Sequence, residues 1–301
     1  MKKFCIWLIA FFVAVVAIDF GFGAGCRYLI RHAKGGFTRS HEYIANHCSE
    51  DVLIFGSSRA IHHYVPEIIS DSLGMSCYNC GMDGNGILYL YSRFLMVTNR
   101  YTPKVIVYEV TNSFDLKSDD YTRYLVWQKR YCDIPGVMDV ITDISPNEKW
   151  KLKSNLYKYS GIFIQLVADN FNSLHEVDNT GYSPIYKNVD YGPDEVQQSD
   201  GAATHWDAKK KSYFEKLVSD CRQKGIKLIF AYSPMYGAKS SAVYKEFSEF
   251  CKEQDIPLID YYAKEGFADT QAFFADGSHL NDTGAREYTK AVVGEIRAES
   301  L

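Results

Sequence analysis

Val52-Leu53-Ile54-Phe55-Gly56-Ser57-Ser58-Arg59 decides how the rest of the chain is read. The four apolar residues have the length and composition of a short buried strand. Gly56-Ser57-Ser58 ends the run, and helical spacing resumes from Ala60 to Leu73, with Ile61, Val65, Ile68, Ile69 and Leu73 on one stripe. Such a strand, turning into a helix through small residues, lifts a hydroxyl to the end of the sheet. It also aims the helix's unpaired N–H groups at whatever sits there. Ser58 is therefore a candidate nucleophile. The plainer alternative is a loop with a serine cap.

Downstream the chain repeats the same strand-and-helix rhythm. Residues 75–79 read as a second strand, followed by the loop Gly81-Met82-Asp83-Gly84-Asn85-Gly86 and a helix over 87–100. That loop is neither a P-loop nor a dinucleotide fingerprint, so it is read as a flexible connection beside the site. Residues 105–110 are the most strand-like run in the chain and lead into Thr111-Asn112-Ser113-Phe114-Asp115. The rhythm lapses over about 116–205, an aromatic-rich insertion with helical pieces expected within 141–153 and over 156–174, placed over the carboxyl edge of the sheet. It then resumes with a helix at 208–223, a strand at 227–232, a helix at 241–254, a strand at 257–260 and a last helix at 281–298, capped by Asn281 or Asp282. Five strands alternating with helices imply a parallel sheet covered on both faces, with ligands beyond the carboxyl ends of the strands.

The composition sets limits on function. The 301 residues are 47% hydrophobic and 23% charged with a net charge of −4, which suits a large globular α/β domain and gives no pull toward nucleic acid. Eight scattered cysteines are no disulfide scaffold, and Cys77-Tyr78-Asn79-Cys80 is read as structural, either free thiols or a local bridge. No cofactor or metal is implied.

Lys2-Lys3 precedes an apolar run from Phe4 to Ile18 that continues, with Asp19 as its only charge, to Gly25. Residues 1–25 are read as an N-terminal membrane anchor in preference to a cleaved signal peptide, and 26–50 as a stalk before the domain that starts at 51. His41, His47, His62 and His63 are expected at the surface. Arg59 is expected either to bind an anion at the helix start or to lie in solvent.

A nucleophilic serine needs a base, and the base needs a group to orient it. Asp276-Gly277-Ser278-His279 supplies both in one turn, just before the last helix.

Together these blocks resemble the SGNH (GDSL-like) hydrolase family: Gly-x-Ser after the first strand, a glycine loop after the second, an Asn after the third and Asp-x-x-His before the last helix. The resemblance covers about 51–115 and 206–301. It implies a flavodoxin-like three-layer sandwich around a five-stranded parallel sheet, with Ser58 as nucleophile, His279 as base and acid, and Asp276 as its orienter. It also implies an oxyanion hole made of the Ser58 N–H, the Gly81 N–H and the Asn112 amide. Gly56-Ser57-Ser58 is similar to a branch of membrane-anchored proteins acting on envelope polymers, including the DltD and alginate-acetylation proteins. Where the family has Gly-x-Asn-Asp, this chain has Val110-Thr111-Asn112-Ser113. The branch implies a serine esterase or O-acyltransferase, with the bulk of the chain outside the cytoplasm and envelope acylation proteins as partners. Its substrate would be an acylated glycan or small ester, with Tyr121, Tyr124, Trp127, Tyr131, Trp150, Tyr157 and Tyr159 offering faces for sugar rings. The alternative is a non-catalytic glycan-binding or assembly subunit of the same fold.

Overall fold

The expected apolar runs form β1 (Val52–Gly56), β2 (Cys77–Asn79), β3 (Val105–Glu109), β4 (Lys227–Tyr232) and β5 (Leu258–Asp260), all parallel. This is seen in a computed structural model that describes residues 1–171, 177–193 and 205–300. The strand order is β2-β1-β3-β4-β5, the flavodoxin-like doubly wound order, with its switch between β1 and β3. Val52 pairs with both Cys77 and Val105, and Val105 with Lys227, so the carboxyl ends of β1 and β3 finish side by side.

Alternation along the strands determines what covers them. Val52, Ile54 and Val107 pack with Tyr64, Ile69, Tyr288 and Val292, from the layer of α3 (Ser58–His63), α4 (Pro66–Leu73) and α13 (Asp282–Ser300). Leu53, Phe55, Ile106 and Phe230 pack with Leu88, Phe94, Phe214 and Phe247 on the opposite face. These belong to α5 (Ile87–Thr98), α11 (Ala208–Lys224) and α12 (Lys245–Glu253). The helix after β1 is interrupted at Val65, held extended (φ −97°, ψ 103°) by the ring of Pro66, which opens α4.

Two expectations change. First, 26–50 is not a stalk. α1 runs unbroken over Lys2–Arg31, and α2 (Gly36–Asn46) buries Phe37 and Ile44 in the main core. His41 is buried there with them, although His47 is exposed as expected. Second, the insertion reaches the sheet's carboxyl edge through residues 183–189, where Ser183 bonds Ile61 and His62 and Lys187 meets Asp276, and not through its helices. These are α6 (Leu125–Gln128), α7 (Val137–Ile144), α8 (Glu148–Lys151), α9 (Asn155–Ser160) and α10 (Phe163–Phe171). α6 and α7 pack on α5, while α9 and α10 pack on α1. The helix expected over 156–174 is divided at Gly161, and its residues 172–174 lie outside the described residues, as do 194–204 of the insertion. Of the two readings of the cysteines, the structure has the first: all eight are free thiols. Cys77 and Cys80 are three residues apart and join cores on opposite faces of the sheet, so the strand's own alternation keeps them from bridging. Burial pushes both thiols up.

Candidate active site

Gly56 makes the turn after β1 possible. Its φ is +143°, and a Cβ there would lie 2.6 Å from the Glu109 carbonyl and 2.8 Å from Ala60 Cβ. α3 starts at once, with Ser58 as its first residue and Ser57 as its N-cap, whose hydroxyl makes no cap bond. Ser58 is thus held at the end of β1 beside the switch point, its N–H among those with no intrahelical acceptor.

The loop before α13 brings the base to it. His279 Nε2 lies 2.9 Å from Ser58 Oγ, and His279 Nδ1 lies 3.0 and 3.2 Å from the two Asp276 oxygens. A neutral imidazole protonated on Nδ1 donates to Asp276 and accepts from the serine hydroxyl. The Ser278 and His279 N–H groups also donate to Asp276 Oδ1. Burial alone would raise the Asp276 carboxyl, but the His279 bond and charge, with these two N–H groups, hold it well below its ordinary value. Asn281 Oδ1 accepts the Gly284 N–H at 2.9 Å, capping α13 as expected and fixing where the loop ends.

Ser58 and His279 open onto a cavity of ≈ 230 Å³, lined also by Arg59, Thr111, Ser113, Phe114, Met235 and Ser278. Of the aromatic residues proposed for sugar rings, none lines this cavity. Tyr124, Tyr131 and Tyr159 are buried, Tyr121 bonds Asp207, Tyr157 bonds Glu148, and Trp127 packs against Phe37 and His41. Trp150 is exposed, on α8.

Of the other expected oxyanion donors, one is engaged and one is buried in this arrangement. The Gly81 N–H donates to Asn79 Oδ1 at 3.0 Å. A Cβ at Gly81 would lie 2.6 Å from the Ile61 N, so its glycine serves close packing against α3. The Asn112 amide nitrogen is buried with no hydrogen-bond partner, and Asn112 is absent from the cavity lining that its neighbours Thr111 and Ser113 share. The cause is the π-helical turn over Asn112–Leu116, pinned by Asp115, which accepts from the Thr111 and Ile87 N–H groups and from Tyr108.

Beneath the site lies a polar network that sequence reasoning missed. Arg59 is 3% exposed; it pairs with the fully buried Glu109 at 3.3 Å and donates to Ser233 and Tyr244. It is therefore neither a solvated residue nor an anion clamp. His63 is not at the surface either. The Leu280 N–H donates to its Nε2 at 2.9 Å, which places its proton on Nδ1, facing Ser233 Oγ at 2.7 Å; that hydroxyl in turn bonds Glu109. Burial, with the Arg59, His279 and His62 charges, holds His63 well below its ordinary pKa, and so neutral. His62 is also partly buried. It donates from Nδ1 to the Ser183 carbonyl at 2.6 Å and faces Asp83 through Nε2 at 3.3 Å. Burial opposes its charge, but the Asp83 bond and charge and the Ser183 carbonyl together raise its pKa. The rings of His62 and His63 both stand edge-on to His279, with centroids 5.6 and 6.2 Å away. The one advance signal was spacing: 59 and 63 share a helix face, and Glu109 ends a strand in which charge is out of place.

No family model matches the sequence, and no curated protein matches it. Among solved structures the chain is similar to TesA, at 11% identity over 83% of this chain and 99% of that one, with a TM-score of 0.45. It is similar also to a GDSL-like lipase from Bacteroides thetaiotaomicron VPI-5482, at 10% identity over 83% and 88%, TM-score 0.40. An acetyl xylan esterase, AlAXEase, is similar at 13% identity over 83% and 100%, TM-score 0.40. Likeness at this level describes the course of the chain and nothing of its chemistry.

Proposed function

We propose that this chain is a membrane-anchored serine esterase or O-acyltransferase acting through an acyl–Ser58 intermediate. The observation that carries the proposal is the unbroken relay from Ser58 Oγ to His279 Nε2 and from His279 Nδ1 to Asp276. In the first step Ser58 Oγ adds to the ester carbonyl and its proton passes to Nε2. Asp276 stabilises the imidazolium without taking the proton. Collapse expels the alcohol, which takes the proton from Nε2, and leaves the acyl group on Ser58. Water, or a sugar hydroxyl in transfer, then adds to the acyl carbonyl as its proton passes to the same nitrogen. Collapse releases the acyl group while Ser58 Oγ takes that proton back. The Ser58 N–H at the start of α3 stabilises the oxyanion. Gly81 and Asn112 join it only when the loops carrying them shift, since one N–H is already engaged and the other amide is shut in.

The substrate class rests on the resemblance of Gly56-Ser57-Ser58 to the branch that handles envelope polymers. O-acetyl groups of cell-envelope or extracellular polysaccharide are the proposed esters, with the domain outside the cytoplasm. The engaged Gly81 N–H and the closed Asn112 amide favour a second reading, a non-catalytic glycan-binding or assembly subunit. Turnover of p-nitrophenyl acetate separates the two. The enzyme reading expects activity that Ser58→Ala abolishes, and equal rates for wild type and variant reject it.

A further inference from the structure

The N-terminal helix does not stop where its apolar run stops. From Asp19 onward α1 is built into the domain. The Asp19 carboxylate accepts the Asn155 and Leu156 N–H groups at 2.9 Å, the Ser154 hydroxyl at 2.7 Å and the Asn155 amide at 2.9 Å, filling the N-terminus of α9 as a cap would. Three residues on, the Phe22 ring meets Phe163 of α10 at 5.3 Å. A Cβ at Gly23 would lie 2.4 Å from the Asn155 side chain. Cys26 and Ile30 are buried with Tyr159, Ile162 and Leu166, and Asn170 Nδ2 donates to the Leu29 carbonyl. This half of α1 is a wall of the insertion, and cleavage within it would strip that wall away.

The free apolar part, residues 4–18, is about 15 residues and rises about 22 Å at 1.5 Å per residue, against a hydrocarbon core of about 30 Å. To cross, the helix must draw roughly 8 Å more of itself toward lipid, to about residues 19–24. Those are the residues flanked by α9 and α10. Around them the α8–α10 surface exposes Trp150 (66%), Leu156 (42%), Phe163 (39%) and Ile164 (80%). Leu156 owns one of the N–H groups that Asp19 holds, and Phe163 is the ring against Phe22, so both lie where α1 leaves the domain. Lys153 Nζ sits 4.2 Å from the centre of the Trp150 ring, with exposed Lys149 and Lys151 nearby. Tryptophan and lysine beside an apolar helix are the composition of the headgroup level.

We infer that the α8–α10 face is a lipid-binding surface that lies in the bilayer interface around the exit of α1. The occupant is the bilayer itself. Asp19 is tolerated at that depth because four donors from α9 and its approach hold its charge. The domain is then fixed to the membrane along two helices and an apolar rim, in place of swinging on a tether.

The full-length chain in phosphatidylglycerol–phosphatidylethanolamine liposomes tests this without any reference to turnover. In a Trp7→Phe background, which removes the tryptophan of the span, lipids brominated near the headgroup end of their chains are expected to quench emission. Adding Trp150→Phe is expected to remove most of that quenching. Equal fractional quenching in the two variants overturns the inference. A spin label at Ile164→Cys in a Cys5→Ser background gives a second reading. Faster relaxation by oxygen than by a water-soluble nickel chelate supports lipid contact. The reverse order, which exposure to water would give, overturns it, as does shielding from both reagents, which a covering protein partner would give.

Discussion

Glu109→Gln tests the network under the site, because it alters charge while changing little in size. Glu109 is completely buried and acts only as an acceptor: from the Ser233 N–H at 3.0 Å, the Ser233 hydroxyl at 2.7 Å, Tyr64 at 2.6 Å and the Arg59 guanidinium at 3.3 Å. Burial raises its carboxyl above the ordinary value, against the pull of Arg59 and these donors. Glutamine removes the charge that balances Arg59 and turns an NH2 toward groups that donate. Leaving one member of a buried pair alone costs about 3–5 kcal/mol. At about 2–4 °C per kcal/mol for a chain of this size, the midpoint should fall by roughly 6–20 °C. Thermal unfolding of the purified full-length protein by circular dichroism reads it. Arg59→Met with Glu109→Gln should recover at least half of the loss, since replacing both partners is far cheaper than removing one. A single variant within about 2 °C of wild type, below the smallest shift that a 3–5 kcal/mol loss allows, would refute the reasoning.

Other outcomes follow from the same geometry. Asp276→Asn leaves the fold intact but no longer selects the Nδ1 proton, and kcat on p-nitrophenyl acetate should drop by about 10⁴-fold. His63→Leu leaves the buried Leu280 N–H without its acceptor, which costs about 1–3 kcal/mol in urea unfolding. It also loosens the loop that carries His279, so kcat should fall further than KM changes. Asp115 is raised from 3.8 to about 6 by burial, against the Thr111, Tyr108 and Ile87 bonds and Lys210. The folded state therefore keeps a proton that the unfolded state has released, so this group's contribution is full below pH 3.8 and declines as pH rises to about 6. The decline amounts to about 3 kcal/mol, and Asp115→Asn should flatten it in urea unfolding measured between pH 4 and pH 7.

The sheet was legible because its signal is local. Apolar runs of strand length, separated by helical stripes and closed by Gly74 and Gly225, leave few other arrangements. The same holds for Ser58, Asp276 and His279, which sit at the two turns that a doubly wound sheet brings to one edge. What escaped was set by tertiary pairing. His63 and Arg59 look like first-turn surface residues until Glu109, fifty positions away, comes to rest beneath them. Residues 26–50 look like a polar stalk because α2 shows only part of its face as apolar. The insertion's aromatic residues read as a sugar platform, yet most of their hydroxyls are consumed by Asp119 and Glu148 within the insertion and by Asp207 just beyond it. The Gly81 and Asn112 positions matched by motif, but a motif does not reveal which neighbour has already taken an N–H.

The central claim is that Ser58 carries a covalent intermediate, and a fluorophosphonate probe tests it most directly. Intact mass and peptide mapping of the treated full-length protein should find one adduct, on Ser58. It should be absent in Ser58→Ala and form far more slowly in His279→Ala. An unmodified protein, or an adduct on another residue that persists in Ser58→Ala, would contradict the account.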